Sequence, residues 1–341
     1  MNQKKREKHI YILDDLRGIA ILTVVFYHYF FVYFKNIDIT NSFIIEYKIF
    51  NNYLNLGAYG VSLFFIVSGF VIPMSLKGKS RNTTIYNFFI RRFFRLYPTY
   101  WFSIILISSL VFLYKDSNAY TIKQIIINFT MLQDIFRVQN IDGVFWTLLI
   151  ELKFYILTGF LFYIGYLNKI NIIIIFFIIS MVTLILGYYD GSRSFGNTLF
   201  SYLMLMYLGT SFYYYYILKI NKYTLIYSIL LVLLYFSINH LLQKNNEYGF
   251  RIGYSSGTIF AIFTFIVCFN YKVKLSILTT FFGNISYSFY LLHQVIGYLI
   301  IDKLLYHLSS PISQIIAFSI IVILSFLVNR YIEKTTNNFG H

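Results

Sequence analysis

The chain has 341 residues, of which 58% are hydrophobic and 12% charged, and a mean hydropathy of +0.65. That composition excludes soluble and disordered classes and reads as a polytopic membrane protein. A net charge of +15 would suggest nucleic acid in a soluble protein. In a membrane chain the lysines and arginines set orientation instead, so no nucleic-acid partner is expected. The single cysteine, Cys268, excludes an intrachain disulfide and a cysteine-cluster metal site and reads as a core packer. No zinc-ligand spacing, Walker-type glycine loop or internal repeat occurs, so no metal is expected and any phosphate would be held by arginines.

Windows of about 19 residues give ten candidate spans. They start near Leu16, Gly57, Pro98, Val144, Ile170, Phe195, Tyr223, Tyr254, Gly283 and Ile312. The connections are short, so the expectation is one all-α membrane bundle over residues 1–341. Placing the N-terminus and every second loop on one side collects 18 lysines and arginines there against 9 on the other, which predicts that both termini are cytoplasmic. Basic residues ahead of an apolar run resemble a signal peptide. The run is long enough to span and no small-residue cleavage site follows, so it is read as the first span.

Span one carries Arg17 and His28 in an otherwise apolar stretch. Eleven residues at 100° each bring the two within about 20° of one another, about 16 Å apart along the axis. One helix face holds both, and ionisable groups inside a bilayer are functional candidates because each is costly to insert. Span two, residues 60–70, contains Gly60, Ser62, Ser68 and Gly69, small residues that let another helix approach closely. Residues 77–97 then form a basic cytoplasmic connection containing Arg91, Arg92 and Arg95. Arg92 and Arg95 share a helical face, and paired guanidinium forks suit a phosphorylated cytosolic donor; a positive-inside anchor is the plainer alternative. On the outer side, residues 122–136 show the spacing of an amphipathic helix lying on the membrane. Two glycosylation-like sequons, at Asn82 and Asn128, are discounted.

Span four has Thr147, Glu151 and Tyr155 in one stripe, and span nine has Ser286, Tyr290 and His293, with Asn284 and Tyr287 one turn apart. From the span ends, His28, Glu151 and His293 all fall about 12 to 16 Å deep, near the middle of a core of about 30 Å. Three ionisable groups at one depth suggest one polar cavity, with interhelical hydrogen bonding as the plainer alternative. Histidine suits proton transfer near neutral pH, so His28 is the candidate acceptor of a proton from an attacking hydroxyl. His293 is read as a substrate contact or a structural hydrogen bonder.

Taken together, four stretches resemble the acyltransferase 3 family of bacterial membrane acyltransferases. They are Leu13-Asp14-Asp15-Leu16-Arg17-Gly18-Ile19-Ala20 through His28, residues 60–70, residues 91–98, and Trp146-Thr147-Leu148-Leu149-Ile150-Glu151 through Tyr155, with a weaker fifth from Gly283 to His293. The resemblance covers essentially the whole chain and is similar to the family's ten-span layout with both ends inside. It implies that Arg17 and His28 fall on the family's catalytic pair and Arg92 with Arg95 on its Arg-x-x-Arg motif. The chain ends directly after span ten, which resembles the standalone type without a C-terminal hydrolase-like domain.

What the resemblance implies is an O-acyltransferase of the bacterial cytoplasmic membrane. It would move an acyl group, acetyl in first place, from cytoplasmic acyl-CoA to a hydroxyl of a surface or lipid-linked glycan. Arg91, Arg92 and Arg95 would hold the donor phosphates; His28 would act as general base, with transient receipt of the acyl group as a nucleophile the alternative; Arg17 and Glu151 would assist it; and Trp146, Tyr155, Asn284, Tyr287, His293 and Ser68 would line the cavity on the acceptor side. Acyl-CoA is then a co-substrate, no cofactor is permanently bound, and membrane lipid and the glycan are the other partners, with an extracytoplasmic protein or a second copy left open. The alternative from another class is a transporter or flippase of lipid-linked sugars. Broken helices with central Pro or Gly would favour it, and the three prolines, Pro73, Pro98 and Pro311, sit near span ends.

Overall fold

The computed structural model describes residues 3–33, 53–76, 80–114, 119–190, 195–219, 222–244, 252–271 and 276–339. Among these the structure is helical, with no strand: α1 (Gln3–Tyr27), α2 (Leu56–Met74), α3 (Arg81–Tyr114), α4 (Ile122–Phe129), α5 (Trp146–Tyr163), α6 (Ile170–Asp190), α7 (Phe195–Tyr216), α8 (Lys222–Lys244), α9 (Ile252–Tyr271), α10 (Ile277–Leu292), α11 (Gln294–Leu304), α12 (Ser310–Val328) and α13 (Lys334–Phe339). Two π-helical turns, His28–Val32 and Asn329–Glu333, follow α1 and α12. Many of the basic residues that set the expected orientation, Lys35, Lys48, Lys77, Lys115, Arg193, Arg251, Lys272 and Lys274, lie outside the described residues.

Eight of the described helices are long and apolar enough to cross a membrane. A helix also stands at each of the other two expected positions. The sixth, α7, is long but rich in tyrosine and hydroxyl residues, and the ninth is split, α10 giving way at His293 to α11.

The expected basic connection over residues 77–97 is largely helix. α3 begins at Arg81 and continues for 34 residues, about 51 Å at 1.5 Å per residue, far more than a bilayer core needs. The arginine motif therefore lies on the same helix as the third span, ahead of Pro98 in its interior. The amphipathic helix expected over residues 122–136 is shorter than its spacing predicts, ending at Phe129. Met131 takes a left-handed φ of 60°, and the Asn128 side chain bonds the Gln124 and Gln139 carbonyls and the Ile141 N–H, turning the chain back. The amide of this sequon is buried and committed to the fold.

The chain divides into two compact units, neither consecutive in sequence. The first comprises Met1–Tyr27, Asp38–Ile85 and Lys153–Gly283; the second comprises His28–Ile37, Tyr86–Leu152 and Asn284–His341. In the first, α2 packs against α1, α7 and α9 through the small residues of its motif. A Cβ at Gly69 would lie 1.8 Å from the Met206 carbonyl oxygen, and one at Gly209 would lie 2.0 Å from that of Ile66. Close backbone approach of this kind drives helix association where lipid is as apolar as the side chains. The Thr210 hydroxyl adds a bond to the Gly69 carbonyl, and Ser62 pairs with Thr258. In the second unit α3 holds the end of α4, with Tyr100 donating to the Asn128 carbonyl and Trp101 to that of Phe129.

Candidate active site

The second unit gathers most of the polar residues expected at one depth. His28 opens the π-helical turn after α1, and its Nδ1 lies 2.7 Å from His293 Nε2, with ring centroids 4.9 Å apart and planes inclined by 28°. His293 is wholly buried, at 0% exposure, whereas His28 is half-buried. His28 is thus the less enclosed residue of the two.

The wider π turn exposes backbone carbonyls, and side chains fill them. Tyr298 donates to the His28 carbonyl and Gln314 to the Tyr29 carbonyl. The Tyr29 hydroxyl in turn donates to the His293 carbonyl at 3.0 Å. Its approach depends on Gly297, where a Cβ would lie 2.1 Å from that hydroxyl. π turns concentrate at functional sites because they shift a side chain off the α-helical phase. Here the shift begins at the residue whose position matters.

His293 Nδ1 lies 2.8 Å from the Tyr290 carbonyl. The Tyr290 hydroxyl is bonded by Thr147 at 2.8 Å and donates to the Val144 carbonyl. Glu151, one turn after Thr147, interacts electrostatically with Tyr290. The stripes expected on spans four and nine therefore meet through Thr147 and Tyr290, and the tryptophan-to-glutamate helix is linked through Tyr290 to the histidine pair. Trp146, half-buried, opens that helix. Ser286 is buried on the same helix as Tyr290.

Asp142 ties the two segments together. Its carboxylate accepts from the Val144 N–H at 3.1 Å and from the Val295 N–H at 3.3 Å, so one side chain satisfies the otherwise orphaned starts of two helical segments. Burial pushes its carboxyl up to about 7, the two backbone bonds pulling the other way. Sequence reasoning missed Asp142, although an acidic residue before glycine at the head of an apolar run is an N-cap signal. It also missed Glu333, buried on the second π turn, which accepts from Ser288 at 2.6 Å and from Asn329 at 2.9 Å.

Arg92 is buried on α3, its guanidinium 5.5 Å from the Phe88 ring centroid; Arg91 and Arg95 are half-buried. The Tyr287 hydroxyl donates to the Leu96 carbonyl at 2.7 Å, which sets Tyr287 beside this motif. Asn284 is exposed, and its carbonyl accepts from Asn329. In the first unit Arg17 pairs with Asp14 at 3.3 Å, and Asp15 accepts from Thr279 and Thr280. A Cβ at Gly18 would lie 1.9 Å from the Thr279 carbonyl, and one at Gly283 an equal 1.9 Å from that of Asp14, so the Arg17 turn is clamped to α10 by backbone contact. Ser68 is half-buried and Tyr155 buried in this unit. Among the described residues no group of three or more histidine, cysteine, aspartate or glutamate side chains could hold a metal ion.

A helical multi-pass membrane protein with a close histidine pair and an arginine motif on another helix is the class that fold and geometry define. The acyltransferase domain of the acyltransferase 3 family matches residues 10–330. The chain belongs to that family and is a membrane acyltransferase. No curated protein and no solved structure matches it.

Proposed function

We propose that the protein transfers an acyl group, acetyl in first place, from acyl-CoA on the cytoplasmic side to a hydroxyl of an extracytoplasmic or lipid-linked glycan. The observation that carries this reading is the histidine pair: His28 held with its Nδ1 at 2.7 Å from Nε2 of the fully buried His293 in a chain of acyltransferase descent. His28 takes the proton of the attacking hydroxyl as general base, and the oxygen adds to the thioester carbonyl. No metal is needed, because the thioester is already activated.

Arg92, Arg95 and Arg91 hold the donor phosphates. Guanidinium forks bind phosphate oxygens in pairs, and Tyr287 steadies that stretch of α3 through Leu96. Glu151 stabilises the cationic form of the site through its field, and Arg17 keeps the role that the family motif gives it. Trp146, Tyr155, Asn284 and Ser68 remain candidates for lining the acceptor path. The protein sits in the bacterial cytoplasmic membrane with both termini inside.

Replacing His28 with alanine is expected to remove acyl esters from the surface glycan, measured by mass spectrometry of the polysaccharide, with protein abundance unchanged. Full acylation at equal abundance would sink the assignment. The donor is tested separately by thermal stabilisation of the detergent-solubilised protein by CoA, expected for the parent chain and weakened in Arg92→Ala. Stabilisation by lipid-linked sugar and none by CoA would point to transport instead.

A further inference from the structure

We propose that His293 is a positioning residue for His28, fixing the imidazole tautomer in which His28 Nε2 carries the lone pair that receives the hydroxyl proton. The proposal rests on the reading of His28 as general base and adds which nitrogen acts and what selects it.

A carbonyl oxygen only accepts, so the 2.8 Å contact between His293 Nδ1 and the Tyr290 carbonyl places a proton on Nδ1. A neutral imidazole has one N–H, so His293 Nε2 is an acceptor. The atom 2.7 Å away is His28 Nδ1, which must then be the donor. That leaves the lone pair of His28 on Nε2. The bond made by one ring nitrogen determines the state of the other, and here the rule acts twice in series.

The opposite arrangement would disable the site. Were His293 protonated on both nitrogens, His28 Nδ1 would have to accept and Nε2 would carry the proton, making it a donor. Complete burial of His293 disfavours that charged form, since a buried charge loses its hydration. The geometry is held by backbone as well as side chains: Tyr29 donates to the His293 carbonyl, Tyr298 to the His28 carbonyl, and the His293 N–H bonds the Phe289 carbonyl.

The proton count closes. The hydroxyl proton moves to His28 Nε2 as the oxygen–carbon bond forms, and the imidazolium keeps its Nδ1–H on His293 Nε2, now a stronger charge-assisted bond. When the carbon–sulfur bond breaks, the CoA thiolate leaves and takes the proton from Nε2. His28 is restored as the same tautomer, and His293 gains and loses nothing.

The test uses the full chain in proteoliposomes and follows release of the CoA thiol from acetyl-CoA, with water as acceptor. His293→Phe removes the acceptor nitrogen; kcat is expected to fall about 100-fold, with the KM for acetyl-CoA within about twofold of the parent. His293→Gln offers an amide oxygen to His28 Nδ1–H and is expected to return kcat to within about tenfold of the parent. His293→Leu replaces the phenylalanine variant if that one does not accumulate. Parent-like kcat in His293→Phe or His293→Leu overturns the proposal, as does a glutamine variant no better than they are at equal abundance, or a loss confined to KM. His28→Ala separates the two levels. If it keeps full activity, the general-base reading fails; if it is inactive while His293→Phe is unimpaired, the positioning role alone fails. A parent chain that releases no thiol overturns the donor reading and the relay with it.

Discussion

Three carbonyl groups decide how two imidazole rings meet: Tyr290 accepts from His293 Nδ1, His293 from Tyr29, and His28 from Tyr298. Removing the Tyr29 hydroxyl should be mild in stability, about 0.5 to 1.5 kcal/mol, because the Gly297 N–H also bonds the His293 carbonyl. A modest drop in melting temperature for Tyr29→Phe, with a larger fractional loss of kcat, is the expected pattern. At the donor end, Arg92→Lys keeps the charge but loses the fork, and CoA affinity measured by calorimetry should weaken about tenfold, about 1.4 kcal/mol. The expense of placing His28, His293, Glu151 and Arg17 in apolar runs made them visible in the sequence. Tyr29 and Tyr298 were not, since among 34 tyrosines only the fold distinguishes a phenol that meets a π-turn carbonyl.

At the level of elements, the departures from regular helix cluster where the chemistry is proposed. Span one changes to a π turn at His28, and span nine is interrupted at His293, where Asp142 takes the Val295 N–H. Neither break was legible from hydrophobic periodicity, which averages over a whole span. The eight helices long and apolar enough to span were legible for the same reason. Gly297→Ala should displace the Tyr29 ring and lower kcat while the other spans still insert, measured as thiol release per mole of folded protein. The Asp142 carboxyl, at about 7, lies above its ordinary value of 3.8, so the folded protein holds a proton there that the unfolded chain releases. Its contribution is complete below the ordinary carboxylate range and is lost as pH rises through about 7. Parent melting temperature should therefore fall from about pH 5 to about pH 8 more steeply than that of Asp142→Asn; equal slopes would show that the carboxyl titrates normally.

Over the whole molecule, each unit is assembled from three separated stretches of chain. No cut in the sequence releases either one intact. Composition and charge were enough to read a helical membrane protein, and the motif order was enough to read the family, because both are properties of many residues at once. The packing within the first unit depends on small-residue contacts such as Gly69 with Met206, which carry no signal of their partner in the sequence. The central claim is that acyl groups cross from a cytoplasmic thioester to a glycan hydroxyl under control of His28. Membrane vesicles of known orientation, given acetyl-CoA labelled in the acetyl group, test it most directly. Label should appear as ester on the glycan only when the donor reaches the cytoplasmic face, and not at all with His28→Ala. Ester formation from the outer face, or undiminished labelling by His28→Ala, would contradict the account.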